Sequence, residues 1–445
     1  MPVAEAEAAH LLKRTEFVVR PARLTELMAL PDRAAAVDNV MNFGPNNNPQ
    51  LPSELQSENT NSSWDQYVFA CNWWIEQMLQ RPRPFQEKLA LFWHGHFVSA
   101  WWDVDSGYQV ATQIQLYRQM ALGSFVDLTQ AMALTPAMLV YLSNADNVKG
   151  APNENFAREL MELFTLGAAP GNYSEDDVQV AARAWTGFNY DYAGQQYVWR
   201  QNRHDDSKMS FFGGLARPWT GPEIITEILV NNVAKRLISA RLIAKKLWEF
   251  LAYPAPSSTI LDSLAATFAN SGMQIQPLVR AILMHDEFYS TTARQGLVRT
   301  PIEFFVALAY HSGFPVDDFG LSWAAEQTGQ QIYQPPNVAG WKSNAYWLNT
   351  SAMSGRAGFA ENVTWRLRQN NGFDNLYPMT AAQAVDYVSS YFGMAPGSTY
   401  ALSTVTRNAL IAAHQAERDT TPYNEWWGPT NLLLMVMLTP EFHMA

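Results

Sequence analysis

The sequence predicts an all-α protein: a large multi-helix domain with long irregular loops and one short β-hairpin. Three observations predict it. Apolar residues recur at the three- and four-residue spacing of a helix through segment after segment of the 445-residue chain. Helix-entry residues stand ahead of several of these segments, as at Pro84, Thr135-Pro136, Asn153 and Ser174. A composition of 48% hydrophobic and 16% charged residues is that of a chain that buries a core and has no disordered character. We expect a single domain over 1–445, the alternative being two lobes, about 1–220 and 221–445.

Thirty Lys and Arg against 41 Asp and Glu leave a net charge of −11, which argues against a partner held by phosphate neutralisation and hence against nucleic acid. The single cysteine, Cys71, excludes an internal disulfide and a multi-cysteine zinc site. The N-terminus carries acidic residues where a signal peptide needs a basic and then an apolar run, so a cytoplasmic location is expected. The apolar run Leu432–Leu438 is only seven residues long, against the roughly 20 of a membrane span. Sixteen tryptophans, with pairs at Trp73-Trp74, Trp101-Trp102 and Trp426-Trp427, make the chain tryptophan-rich. They serve either packing or flat platforms for sugars, apolar ligands or partners.

Taken in order, residues 6–42 show helical spacing and 43–63 read as a long polar loop. Helices follow at 64–81 and 84–93, then two over 110–143. Ser174 caps the next helix with Asp177 at the capping-box position, and a hairpin turns around Ala193-Gly194. In the block 221–253, Val233, Leu237, Ala244, Leu247 and Leu251 form a core stripe. Lys235, Arg236, Arg241, Lys245 and Lys246 form a basic patch, either a solvated face or a phosphate or carboxylate site. Two helices fill 258–290, and two more fall at 301–312 and 321–329. The rigid aromatic stretch 330–347, with Pro335-Pro336-Asn337-Val338-Ala339-Gly340-Trp341, is either a core lid or a functional loop.

At the centre lies residues 153–167, read as one amphipathic helix entered at Asn153 and ended by Gly167. Phe156, Leu160, Leu163 and Phe164 share an apolar stripe, whereas Asn155, Arg158, Glu159 and Glu162 gather on another face, with Arg158 and Glu162 spaced to pair. Histidine segments flank it. His94 and His96 would point about 200° apart on a helix but to the same side of an extended or turn segment, where they suit a metal. Gly95 eases the second option. His204-Asp205-Asp206-Ser207-Lys208 is the other segment.

The block from Asn153 to Gly167 resembles a large bacterial family catalogued as domain of unknown function eighteen hundred. So do Phe92-Trp93-His94-Gly95-His96-Phe97, Ala182-Arg183-Ala184-Trp185-Thr186-Gly187, His204-Asp205 with Lys208, and Pro335–Trp341. The resemblance spans nearly the whole chain. It implies a predominantly helical protein, commonly exported, often encoded beside a sulfatase-like family that would be a protein partner, and it implies no settled activity. The chain departs from the family pattern at Arg14-Thr15-Glu16-Phe17-Val18-Val19 and in lacking the usual leader.

Three functional readings follow. In the first, a metal-assisted hydrolase, His94, His96 and His204 hold a divalent ion, Zn, Mn or Fe, that lowers the pKa of a bound water. Glu159, Glu162, Asp205 and Lys208 serve catalysis there, and Asn155, Arg158, Trp341 and Trp347 bind a small-molecule or glycan substrate. With iron the chemistry becomes oxidative. The second reading is a metal-free glycoside hydrolase with paired carboxylates and tryptophan platforms. The third is a non-catalytic surface or complex-forming protein.

Overall fold

Two of the helix entries anticipated from sequence are built as side-chain caps, whereas the central helix begins at Asn155 with Glu154, not Asn153, at its cap. Ser174 Oγ accepts from the Asp177 amide at 3.2 Å while the Asp177 carboxylate accepts from the Ser174 amide at 2.9 Å, which closes the reciprocal box. Thr135 Oγ1 likewise accepts from the Met138 amide, and Pro136 takes the first helical position. The computed structural model describes residues 2–43, 49–57, 63–316, 320–369, 373–420 and 426–445. Among them run 23 α-helices and one two-stranded antiparallel sheet, so the chain is predominantly α-helical. The sheet is the anticipated hairpin, Phe188–Asp191 paired with Gln196–Trp199 in the register Phe188↔Trp199. No helix among the described residues is long and apolar enough to cross a membrane.

Several boundaries differ from the sequence reading. The stretch 110–143 holds three helices, Gly107–Gln119, Phe125–Ala133 and Pro136–Tyr141, because Ser124 and Thr135 each cap a new start. Much of the expected loop 43–63 lies outside the described residues; Ser53–Leu55 within it is a short 3-10 turn. Val233 and Leu237, expected in the core, are exposed, and the buried stripe of Val233–Leu251 starts at Ser239 instead. One contiguous apolar core contains residues from Val3 to Phe442, Cys71 among them.

The helix Phe85–His96 is held in this core by charge as well as by packing. Glu87, fully buried, accepts from Trp74 Nε1 at 2.8 Å, Arg81 Nη1 at 2.6 Å and Arg118 Nε at 2.7 Å. Lys88, next in sequence, pairs with Glu303 of the helix Pro301–Ser312. Removing one member of such a buried pair leaves an uncompensated charge, at a cost of about 3–5 kcal/mol. The histidines at the end of this helix are therefore presented from a rigid support.

Candidate functional site

The His-Gly-His segment stays helical through His96, so the two imidazoles leave the helix on different sides. His94 Nε2 accepts the Tyr333 amide at 3.0 Å. Burial holds its pKa down to about 3, so the ring is neutral. Between the histidines, Gly95 offers a bare patch of helix on which the Pro335–Trp341 loop rests. Gly340 adopts φ +78°, and a Cβ on it would stand 2.2 Å from the Gly95 carbonyl oxygen; a Cβ on Gly95 would meet the Trp341 ring at 3.6 Å. Glycine is thus required at position 340 for close approach, while Gly95 does not break the helix and a methyl there would make only ordinary contact.

His96 points the other way, to the end of the central segment. That segment is not one α-helix: Asn155–Glu159 is α-helical and Leu160–Thr165 is a π-turn, with the Leu166 amide reaching Met161 O at 2.7 Å and Thr165 Oγ1 reaching Leu160 O at 2.6 Å. Gly167 ends it at φ +81°, as its sequence position suggests. Carbonyls in the last turn of a helix have no partner within it and carry the negative end of its dipole. Two of them are put to use. Phe164 O lies 3.1 Å from His96 Nε2, and Leu163 O lies 3.0 Å from Lys246 Nζ.

Lys246 Nζ also lies 3.0 Å from His96 Nδ1, which fixes the imidazole tautomer: Nε2–H donates to Phe164 O and Nδ1 accepts from the lysine. Burial, then the neighbouring Lys245, bring the Lys246 ammonium down to about 8, with Glu249 acting in the opposite sense. No carboxylate among the described residues stands within ion-pair distance of it. Glu249 is turned to Lys245 at 3.0 Å and to the Ala255 amide at 3.2 Å. Burial followed by the Lys246 charge pushes the His96 pKa well below its usual value, so His96 is a neutral acceptor. Beside the pair opens a cleft of about 200 Å³, lined by the apolar Leu91, Phe92, Phe250 and Trp341 together with Glu249, Thr300 and Lys342.

Other residues singled out from the sequence fall elsewhere. His204 is buried under the hairpin, its Nδ1 2.9 Å from Thr186 O and its ring 4.9 Å from Trp199. Asp205 accepts from the Ser207 amide and hydroxyl, and Lys208 is exposed. The expected ligand set His94, His96 and His204 is therefore not assembled: four of its six ring nitrogens already have partners, on four different segments of the chain. Among the described residues no group of three or more His, Cys, Asp or Glu is placed to hold a metal ion.

On the central helix, Arg158 pairs with Glu154 and Glu175 instead of Glu162, because Glu175 at the next helix start faces it. Glu162 accepts the Tyr173 hydroxyl at 2.8 Å. Glu159 is half-buried, and burial followed by the Glu162 charge raises its pKa. Asn155 is exposed, its amide held by the Asn153 side chain at 2.9 Å. Trp347 is fully buried against Val298 and Ala352 and packs rather than binds, whereas Trp341 is half-buried and lines the cleft. Lys246 appeared in the sequence only as one member of a basic patch. Its position three residues after buried Ile243 and one before buried Leu247 was the available signal that it turns inward.

No curated protein and no solved structure matches this chain. A family profile does, over residues 10–444, and the segments that meet around His96, namely Phe85–His96, the π-turned central helix, Val233–Leu251 and the Gly340-Trp341 loop, all lie within that span. The chain belongs to the family described as protein of unknown function (DUF1800).

Proposed function

We propose that this protein is an enzyme that takes a small organic anion into the cleft over Lys246 and transfers a proton there, with Lys246 as acid or base and His96 as its relay. One observation carries the reading. The Lys246 ammonium is a cleft-lining cation that spends two of its three N–H groups, on Leu163 O and His96 Nδ1, and has no carboxylate partner among the described residues. A carboxylate entering the cleft meets the remaining donor, with Lys342 at the rim. The apolar wall of Leu91, Phe92 and Phe250 suits a hydrocarbon body behind the charged end. A pKa near 8 lets the same nitrogen hold or release a proton close to neutrality.

Thermal-shift titration with a panel of small carboxylates, run on wild type and Lys246→Met, tests this. Stabilisation of the wild type by at least one carboxylate, absent from the variant, is the expected result; no stabilisation by any of them overturns it. The metal-assisted reading requires His96 to release Lys246. Stoichiometric Zn, Mn or Fe on the purified chain, lost in His96→Ala, would restore that reading.

A second reading is favoured by Glu159. Its raised pKa beside Glu162 is the arrangement of an acid paired with a base, and exposed tryptophans such as Trp102 supply a sugar platform on that reading. It predicts glycan hydrolysis that disappears in Glu159→Gln and survives in Lys246→Met.

A further inference from the structure

Outside the cleft over Lys246, four cations converge in the interior with few anions. Lys13 and Arg14 come from the helix Glu5–Thr15, Arg299 from the segment before Pro301–Ser312, and Arg356 from the helix Thr350–Gln369; all four are buried. Lys13 Nζ lies 3.7 Å over the Tyr400 ring and has no hydrogen-bond acceptor among the described residues. Arg299 donates from Nη1 to Phe442 O at 2.8 Å while its Nε has no partner. Arg14 donates only to Ala293 O, leaving Nε and Nη1 unpaired. Arg356 reaches His443 Nδ1 and Arg299 O and leaves Nε unpaired.

Two carboxylates lie near. Glu303 is engaged by Lys88. Glu441 accepts from the Ser403 amide and the Thr406 hydroxyl through one oxygen, its other oxygen has no partner, and it stands outside ion-pair distance of all four cations. A buried ion without a counter-ion costs several kcal/mol even after relaxation, which for four is comparable with the roughly 5–15 kcal/mol by which a whole domain is stable. The chain has an excess of 11 acidic groups, yet near these four cations stand only Glu303, whose charge is shared with Lys88, and Glu441. Burial and then the mutual repulsion of Arg299 and Arg14 drive the Lys13 ammonium well below its ordinary pKa, which expresses the same deficit.

Between these groups lies a cleft of about 30 Å³, lined by Lys13, Arg299, His311, Tyr400 and Glu441. One water needs roughly 10–15 Å³ measured this way, so the space admits the oxygen atoms of a small ion. We propose that this cleft is a binding site for a small oxyanion, of carboxylate or phosphate size, held between the Lys13 ammonium and the Arg299 guanidinium. Arg14 and Arg356 contribute charge from behind. The guanidinium fork favours an oxyanion over a halide, since two oxygens match two N–H groups.

The test is a calorimetric titration of the full chain, prepared without phosphate, with inorganic phosphate and separately with acetate, at constant ionic strength set by NaCl. With Lys246→Met as the background, so that the other cleft does not contribute, saturable binding of one anion per chain is expected, weakened at least tenfold when Lys13→Met is added. Lys13→Met should also melt higher than wild type in phosphate-free buffer, because it removes an uncompensated charge. Whichever of phosphate and acetate binds more tightly identifies the anion. Absence of saturable binding by both overturns the proposal, as does binding that survives Lys13→Met and is lost in Lys246→Met, which would assign the anion to the other cleft. If Lys13→Met does not fold, Lys13→Gln replaces it, and the titration of Lys246→Met decides by itself.

Discussion

At the scale of single residues, the chemistry turns on where a nitrogen spends its hydrogen bonds. His94 and His96 are both buried and neutral, yet one props up a loop amide and the other receives a lysine. Because the folded-state pKa of Lys246 is lowered, folding disfavours its protonated form. Its unfavourable contribution is fully present below about pH 8 and is relieved as pH rises from there toward the ordinary lysine value of about 10.4. Carboxylate affinity has the opposite trend, since it needs the ammonium, and should fall as pH rises through about 8. Acetylation mapped by mass spectrometry should find Lys246 half-reactive near pH 8, against about 10.4 for exposed lysines. A midpoint shared with the exposed lysines would show that the nitrogen is not shielded as described. The sequence could name these residues but not their partners. His-x-His spacing is compatible with two directions, and only the continuation of the helix through Gly95 selects between them.

At the scale of elements, most helices were legible because their signals are local: Ser174 with Asp177, Thr135 with Pro136, Gly167 at a positive φ. The π-turn Leu160–Thr165 was not, since its residues satisfy helical spacing as well as any α-helix does and the extra residue per turn is decided by what the segment packs against. The acidic face of Glu159 and Glu162 is visible in sequence, but the groups that meet His96 and Lys246 are backbone carbonyls, which every residue carries. The loop makes a separate prediction. In Gly340→Ala the new methyl would strike the Gly95 carbonyl and the residue would be held at positive φ, so a loss of about 2–4 kcal/mol is expected. Urea denaturation measures it, and a variant as stable as wild type would mean that the loop does not rest on Gly95.

At the scale of the whole molecule, an acidic protein keeps a cationic interior, and its few internal carboxylates carry unusual weight. Burial raises the Glu303 carboxyl, but Lys88, the Thr300 amide and the Arg299 charge together outweigh burial and hold its pKa below the ordinary value. Its stabilisation is therefore present above the unfolded-state pKa of about 4.3 and is lost only as pH falls through the lower folded-state value. Glu303→Gln should cost about 3–5 kcal/mol at neutral pH, measured by chemical denaturation. Lys88→Met combined with Glu303→Met should recover most of that loss, because no lone charge remains. The π-turn has a consequence of another kind, for how the chain tolerates changes in its length. Because each turn there holds one residue more than an α-turn, a single-codon deletion within Leu160–Leu163 can be absorbed as ordinary α-helix without breaking the segment. Because such a deletion removes the extra residue and not one of the α-helical register, the part beyond it keeps its orientation and the last-turn carbonyls still meet Lys246 and His96. The same deletion in the regular helix ahead of His96 would turn the imidazole by about 100° and take it out of the cleft.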